Sequence, residues 1–297
     1  MTILVAGATG NLGGRLVKAL LARGATVRAL VRTGTDPKKL EKLTNANVTI
    51  VEADMTDPGQ LTVACEGVDC VVSALQGLRD VIVTLQSRLL DAAIEAGVPR
   101  FIPSDFATDF TTLPAGENRN FDLRREFMDY IDSTPIRATS IMNGAFADLL
   151  MRDMPLLDFS KKQVGYWDNP DRRADFTTTD DIAAYTAAAA LDIDPPRLLR
   201  IASFQHSPAE LAEAASAVTG ESFTLVNMGS LAGLAEYNRR ERAANPDGEQ
   251  QLYPRWQQGQ YMQSMFSTLN DPLDNDRYTG IQWTSVNEVL ANRMRRN

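Results

Sequence analysis

Thr2-Ile3-Leu4-Val5-Ala6-Gly7-Ala8-Thr9-Gly10-Asn11-Leu12-Gly13-Gly14 decides the fold of this chain. The apolar run 3–6 reads as a strand, the glycines as a tight turn, and 12–22 as an amphipathic helix. A second strand, 26–31, closes a βαβ unit of the length that a dinucleotide-binding fold requires. In such a turn Gly7 permits the sharp reversal, and Gly10 lets backbone N–H groups approach a pyrophosphate at the positive end of the helix. Gly13 lets helix and strand pack closely. Thr9, Asn11 and Leu12 belong to the same turn and are expected to touch the dinucleotide.

The end of the second strand selects the cofactor. NAD-binding folds of this kind carry Asp or Glu there to bind the ribose 2′-OH, whereas this chain has Arg32 followed by Thr33. A guanidinium binds a 2′-phosphate bidentately, and Lys38 and Lys39 lie close enough in sequence to add positive charge. NADPH (NADP+) is therefore the expected cofactor. Asp54 and Met55, after the third strand, are expected at the adenine, with a turn or capping role as the other reading of Asp54. Ala74 and Leu75 after the fourth strand, with Gln76 next, are expected beside the ribose and phosphates. Ser104 and Asn143, at the ends of the fifth and sixth strands, complete the expected cofactor set.

Strand-like and helix-like segments alternate through the first half. Strands are expected at 48–53, 70–75, 100–103 and 137–142, and helices at 58–66, 81–96 and 124–131. This alternation predicts an α/β, Rossmann-type doubly wound parallel sheet. A helix at 179–191, with Thr179 or Asp180 as N-cap, and a strand at 198–203 follow; beyond Phe204 no further βαβ unit appears. Ser207-Pro208-Ala209-Glu210 and Ser285-Val286-Asn287-Glu288 read as capping boxes, and 228–269 reads as helical. The expected division is a Rossmann domain of residues 1–143 with 176–203, and a smaller, discontinuous α+β substrate domain of 144–175 with 204–297.

The 297 residues are 44% hydrophobic and carry a formal charge of −8. That acidity argues against nucleic acid or an anionic membrane as a partner. Arg293, Arg295 and Arg296 read as complements to a helix end. Cys65 and Cys70, without metal-ligand spacing, are expected to be buried thiols of a reducing compartment. A first strand at Thr2 leaves no room for a signal peptide, so a cytoplasmic monomer or homodimer acting on a small molecule is expected.

Gly7 to Gly13, Arg32, Arg100-Phe101-Ile102-Pro103-Ser104-Asp105-Phe106, Asn143-Gly144-Ala145-Phe146 and Asp180-Asp181-Ile182-Ala183 together resemble the NmrA-like and isoflavone reductase-like atypical short-chain dehydrogenases. The resemblance implies a Rossmann domain with a small substrate domain, and NADPH-dependent reduction of phenylpropanoid ethers, isoflavones, quinones or related aromatics. Other NmrA-like proteins bind the nucleotide and act as regulators.

The YxxxK signature of ordinary short-chain dehydrogenases is absent: four residues after Tyr130 stands Thr134. The resemblance places the reductases' lysine at Arg124, and no lysine lies between Lys42 and Lys161. An arginine does not exchange protons readily, but it stabilises a developing oxyanion. Arg124 and Asp105 are the catalytic candidates, with an ion pair or surface charges as the structural reading of both. Tyr166 or water is a further proton source. Phe106, Phe146, Tyr166 and Trp256 are candidate substrate contacts, and Tyr253, Tyr261, Met262, Met265 and Phe266 either form core or line a lid. His206, the only histidine, precedes the Ser207 cap and reads as a loop neighbour. It has neither zinc-site nor triad spacing. The leading reading is an NADPH-dependent reductase of a small aromatic or conjugated carbonyl or quinone-type compound; the alternative is a non-catalytic NADP(H)-sensing regulator that binds a protein partner.

Overall fold

A computed structural model describes residues 1–41, 43 and 47–296. The first half runs β1 (Thr2–Ala6), α1 (Asn11–Ala22), β2 (Thr26–Arg32), α2 (Pro37–Glu41), β3 (Val48–Ala53), α3 (Pro58–Cys65), β4 (Cys70–Ser73), α4 (Gln86–Glu95), β5 (Arg100–Ile102), α5 (Arg119–Asp132) and β6 (Arg137–Ala138). Its six strands form one parallel sheet in the order β3-β2-β1-β4-β5-β6. Ala6 lies beside Leu30 on one side and Ser73 on the other. The chain reverses direction across the sheet between β1 and β4, and a crevice opens there beyond the strand ends.

The strand expected at 137–142 is divided. Thr139 N donates to Phe101 O (3.0 Å), still within the first sheet, but Ser140 N donates to Arg197 O (2.9 Å). β7 (Ser140–Met142) therefore leaves the sheet edge and later pairs in parallel with β11. The chain continues through β8 (Ala145–Phe146), β9 (Gln163–Tyr166), β10 (Ala174–Thr177), α6 (Thr179–Leu191), β11 (Leu198–Arg200), β12 (Phe204–His206), α7 (Pro208–Thr219), β13 (Thr224–Asn227), α8 (Leu231–Ala244), α9 (Arg255–Met265) and α10 (Val286–Arg296). The strand expected at 198–203 thus ends at Arg200, and a separate β12 takes up His206. β8, β10 and β12 form a second sheet, and β9 pairs with β13. Leu150, Leu156, Phe176, Leu211, Met262 and Leu290 share a core over this part of the chain.

Local chemistry explains several boundaries. α5 starts earlier than its apolar pattern suggests, because the Asn118 side chain accepts from Phe121 N and caps it. α6 is capped by Thr178, which accepts from Asp181 N, one residue before the expected caps. The Ser207 capping box is present as read, closed by Glu210, with Gly220 left-handed at the helix end. The helical stretch 228–269 is two helices, α8 and α9, separated by a loop. Arg100 reaches under α6 and donates to the carbonyls of Ala189 (3.3 Å) and Ala190 (2.7 Å), satisfying orphan acceptors at that helix end. Cys65 and Cys70 are buried free thiols.

Two adjacent glycines differ sharply. A Cβ on Gly13 would lie 2.1 Å from Gly7 O, while one on Gly14 would lie an ordinary 3.5 Å from Ala8 O. Gly13→Ala should lower stability by about 2 kcal/mol through backbone displacement. Gly14→Ala should leave it unchanged or raise it by up to about 1 kcal/mol through helix propensity. Urea unfolding of the two variants checks the contrast.

Candidate functional site

A cleft of about 1220 Å³ runs along the carboxyl ends of the strands and beneath the second part of the chain. Its floor is the glycine turn. Gly7 adopts φ +81°, and a Cβ there would meet Ala74 O at 2.5 Å, so the turn and the end of β4 touch. Gly10 caps α1 with no side-chain hydrogen bond and no acidic residue in the first turn. Thr9, Gly10, Asn11 and Leu12 line the cleft, so the N–H groups that begin the helix face a position suited to an anion.

At one end stand Arg32, Thr33 and Lys39. Thr35 N donates to Arg32 O (3.0 Å) and the Thr35 hydroxyl donates to the same oxygen, fixing the turn after β2. Among the described residues neither the Arg32 guanidinium nor the Lys39 ammonium has an acidic partner. Lys39 faces the cleft, and Lys38 does not. Met55 lines the cleft, but Asp54 is used up in a turn, where its carboxylate accepts from Thr56 N and Thr56 Oγ1 (2.7 Å each). Those two bonds hold its pKa below the usual value.

The middle of the cleft is formed by Ala74, Leu75, Gln76, Ser104 and Phe106. Ser104 Oγ donates to Leu75 O (2.6 Å), and Ser104 N donates to Oε1 of the buried Gln86 (2.9 Å). Opposite stand Phe146, Leu149, Met151, Tyr253, Tyr261, Met262 and Met265. Arg124 also reaches the cleft, with Nε donating to Asp105 O (3.0 Å) and Nη1 to Asn120 O (2.9 Å). Nη2 has no partner among the described residues and remains available.

Five other candidates take structural positions. The Asp105 carboxylate turns inward and accepts from Ser140 Oγ, and burial pushes its pKa up. It makes no ion pair with Arg124, which binds its backbone carbonyl instead. Asn143 is fully buried and donates to Gly144 O (2.9 Å). Gly13 lies beneath the turn against Gly7. Tyr166 sits at the end of β9 outside the cleft. Trp256 is 1% exposed, with the guanidinium groups of Arg119 and Arg242 over its ring at 4.7 and 4.9 Å. His206 also lies outside the cleft, packing edge-on to Phe204 at 5.3 Å. Tyr130 donates to Asp91 on the exposed face of α5, away from the cleft. The wall at 148–154 escaped the sequence reading, because short 3₁₀ and irregular backbone leaves no periodicity.

The fold and the cleft define a Rossmann-type dinucleotide-binding protein. The chain belongs to the NmrA-like family, whose profile matches residues 1–234. It is 34% identical over 212 residues to pinoresinol reductase 1 of Arabidopsis thaliana, a match spanning 66% of each protein and so just under two thirds of that relative's length. AtPrR2 with NADP+ and (+)-pinoresinol superposes with a TM-score of 0.79 at 25% identity, covering 98% of both chains. The leucoanthocyanidin reductase–NADPH complex of Vitis vinifera shares the fold at TM-score 0.80 and 16% identity over 99% of both chains.

Beneath the cleft, Gly144 (φ +64°) lies against Asp175, whose carboxylate accepts from Gln205 Nε2 and Asn270 N at 2.8 Å each. Burial pushes its pKa up to about 6. The folded state therefore holds the Asp175 proton above the pH at which the unfolded chain releases it, so this group's contribution is fully present below about pH 4 and lost as pH rises through about 6. Asp175→Asn should remove that loss. In urea titrations its stability relative to the parent should improve by about 2–3 kcal/mol between pH 4 and pH 7.

Proposed function

We propose that this protein is an NADPH-dependent reductase that transfers hydride to a small aromatic or conjugated carbonyl or quinone-type substrate. The observation that carries this reading is the continuity of the cleft. Arg32 and Lys39, without an acidic partner among the described residues, occupy one end, the glycine turn lies between, and Arg124 with two tyrosines and two methionines occupies the other. The residues present fit the cofactor. Arg32 and Lys39 would hold the 2′-phosphate, the first turn of α1 the pyrophosphate, and Leu75 and Ser104 the end nearer Arg124. When bound, the reduced nicotinamide supplies the hydride. AtPrR2, whose complex pairs NADP+ with (+)-pinoresinol, supports both the cofactor and an aromatic substrate.

Arg124 supplies a fixed positive charge. Two of its donors are anchored to backbone carbonyls, so its orientation is set before substrate arrives, and the free Nη2 stabilises negative charge on a substrate oxygen. The aromatic and methionine wall excludes water and packs on a planar substrate. We place the smaller domain, residues 144–175 with 204–297, as the substrate cover, and the protein in the cytoplasm as a monomer or homodimer. No described helix is long and apolar enough to cross a membrane.

Two measurements test this reading. Arg32→Ala should weaken NADPH binding by about 1.5–3 kcal/mol in calorimetric titration and leave NADH nearly unchanged; equal losses would remove the 2′-phosphate assignment. Turnover is assayed as NADPH oxidation against quinones, enones, aromatic aldehydes and phenolic ethers. Arg124→Ala should cut it by about a hundredfold while NADPH affinity holds. Absence of turnover in the parent, with activity appearing in Arg124→Lys, would identify a sensor descended from a reductase.

A further inference from the structure

Reduction of a carbonyl or quinone-type group needs a proton as well as a hydride, and Arg124 keeps its protons. We propose that Tyr253 is the proton donor of this site, its phenol held over the end of β4 by Gln76 and supported by the charge of Arg124. This inference rests on the reductase reading above and deepens it.

Three features place the phenol. Gln76, three residues beyond β4, donates from Nε2 to the Tyr253 hydroxyl oxygen. Because that oxygen accepts a hydrogen bond, its own hydrogen is left to donate, and it has no acceptor among the described residues. The backbone before Tyr253 is anchored to α5: Leu252 O accepts from Arg119 Nη2 and Asn120 Nδ2, at 3.1 Å each. The carbonyl of Tyr253 itself accepts from Gln258 Nε2 at 3.0 Å. Gln76 stands at the switch point of the sheet, where a Rossmann fold presents its ligand.

The surroundings suit a donor. Partial burial and the neighbouring Tyr261 keep the phenol above its usual pKa, hence protonated at neutral pH, while Arg124 and the Gln76 bond favour the phenolate once formed. The Tyr253 and Tyr261 rings lie 6.2 Å apart, and Tyr261 is turned by Asn120, whose Nδ2 donates to its hydroxyl at 3.0 Å. In the step, the substrate carbon gains a hydride and the carbon–oxygen π pair moves to oxygen. The Tyr253 O–H bond then breaks as a new O–H bond forms on the substrate. Tyr253 is 47% exposed, so water restores its proton.

The test compares the parent, Tyr253→Phe and, as a control outside the cleft, Tyr130→Phe. Its primary readout is independent of turnover: 4-nitrophenol is titrated into the NADP+-loaded protein and followed by its phenolate absorbance. Tyr253→Phe should weaken that binding at least tenfold and lower kcat by about a hundredfold, with NADPH affinity within twofold; Tyr130→Phe should match the parent in both. Phenol affinity within twofold of the parent, together with unchanged kcat, would overturn the assignment and leave the reductase reading standing. Weaker phenol binding in Tyr253→Phe, in a protein that turns over no compound of the panel, would leave Tyr253 as a ligand hydrogen-bond donor and overturn both the reductase reading and the proton transfer that rests on it.

Discussion

The missing side chain at Gly13 sets the distance between β1 and α1, and the cleft depends on that distance. A Cβ there would overlap the Gly7 carbonyl at 2.1 Å, so no other residue lets the helix start so close to the end of its strand. Gly7 is in turn pressed against Ala74 at the end of β4, which ties the turn to both strands that flank the switch point. Behind it, Leu16, Val17 and Leu20 of α1 share a core with Ala183, Ala187 and Ala190 of α6. Alanines allow the two helices to approach closely, so the turn rests on a rigid layer.

α5 carries the same constraint to the opposite wall. Asn118 Nδ2 donates to Ser264 Oγ (3.0 Å), and Asn118 Oδ1 accepts from Gln257 Nε2 (2.9 Å), while Arg119 N donates to Gln260 Oε1 (3.1 Å). The Arg119 guanidinium donates to the carbonyls of Gly248, Glu249, Gln251 and Leu252 and lies on the face of Trp256. Burial is the main pressure on that charge, and the carbonyls and Glu249 offset it. One helix therefore fixes both the Arg124 charge and the loop that delivers Tyr253. Relative motion of the two walls would have to break buried polar contacts, each of which leaves an unsatisfied group.

The parallel sheet, the glycine turn and the place of Arg32 on the cleft were legible because they depend on local pattern: apolar runs, glycine spacing and one charge at a strand end. Residues whose roles depend on side-chain direction were not. After β5 the chain makes a tight turn in which Asp105 N donates to Pro103 O (2.9 Å). Ser104 and Phe106 consequently reach the cleft while the carboxylate between them points into the protein. Lys38 and Lys39 are neighbours in sequence but about 100° apart around a helix, so only one faces inward. Trp256 belongs to an aromatic stripe that does reach the cleft, yet two arginines clasp it on the far side. The α5 start was hidden because its N-terminal turn is polar, and its polar residues face buried partners on α9 rather than solvent.

Arginine at position 124 is more than a lysine with a different shape. Its fork engages Asp105 O through Nε and Asn120 O through Nη1, and leaves Nη2 without a partner among the described residues. A lysine has one nitrogen on a flexible stem and could not hold both carbonyls in that geometry while facing substrate. Compared with a lysine, the arginine fixes the charge more firmly but offers no group whose pKa burial can bring into the range for proton transfer. Charge stabilisation and proton delivery then require separate residues. The cleft provides the phenols of Tyr253 and Tyr261, each oriented by an amide that donates to its oxygen, so in the reduction we propose the two tasks fall on different elements: the charge on α5, the proton on the loop that α5 anchors.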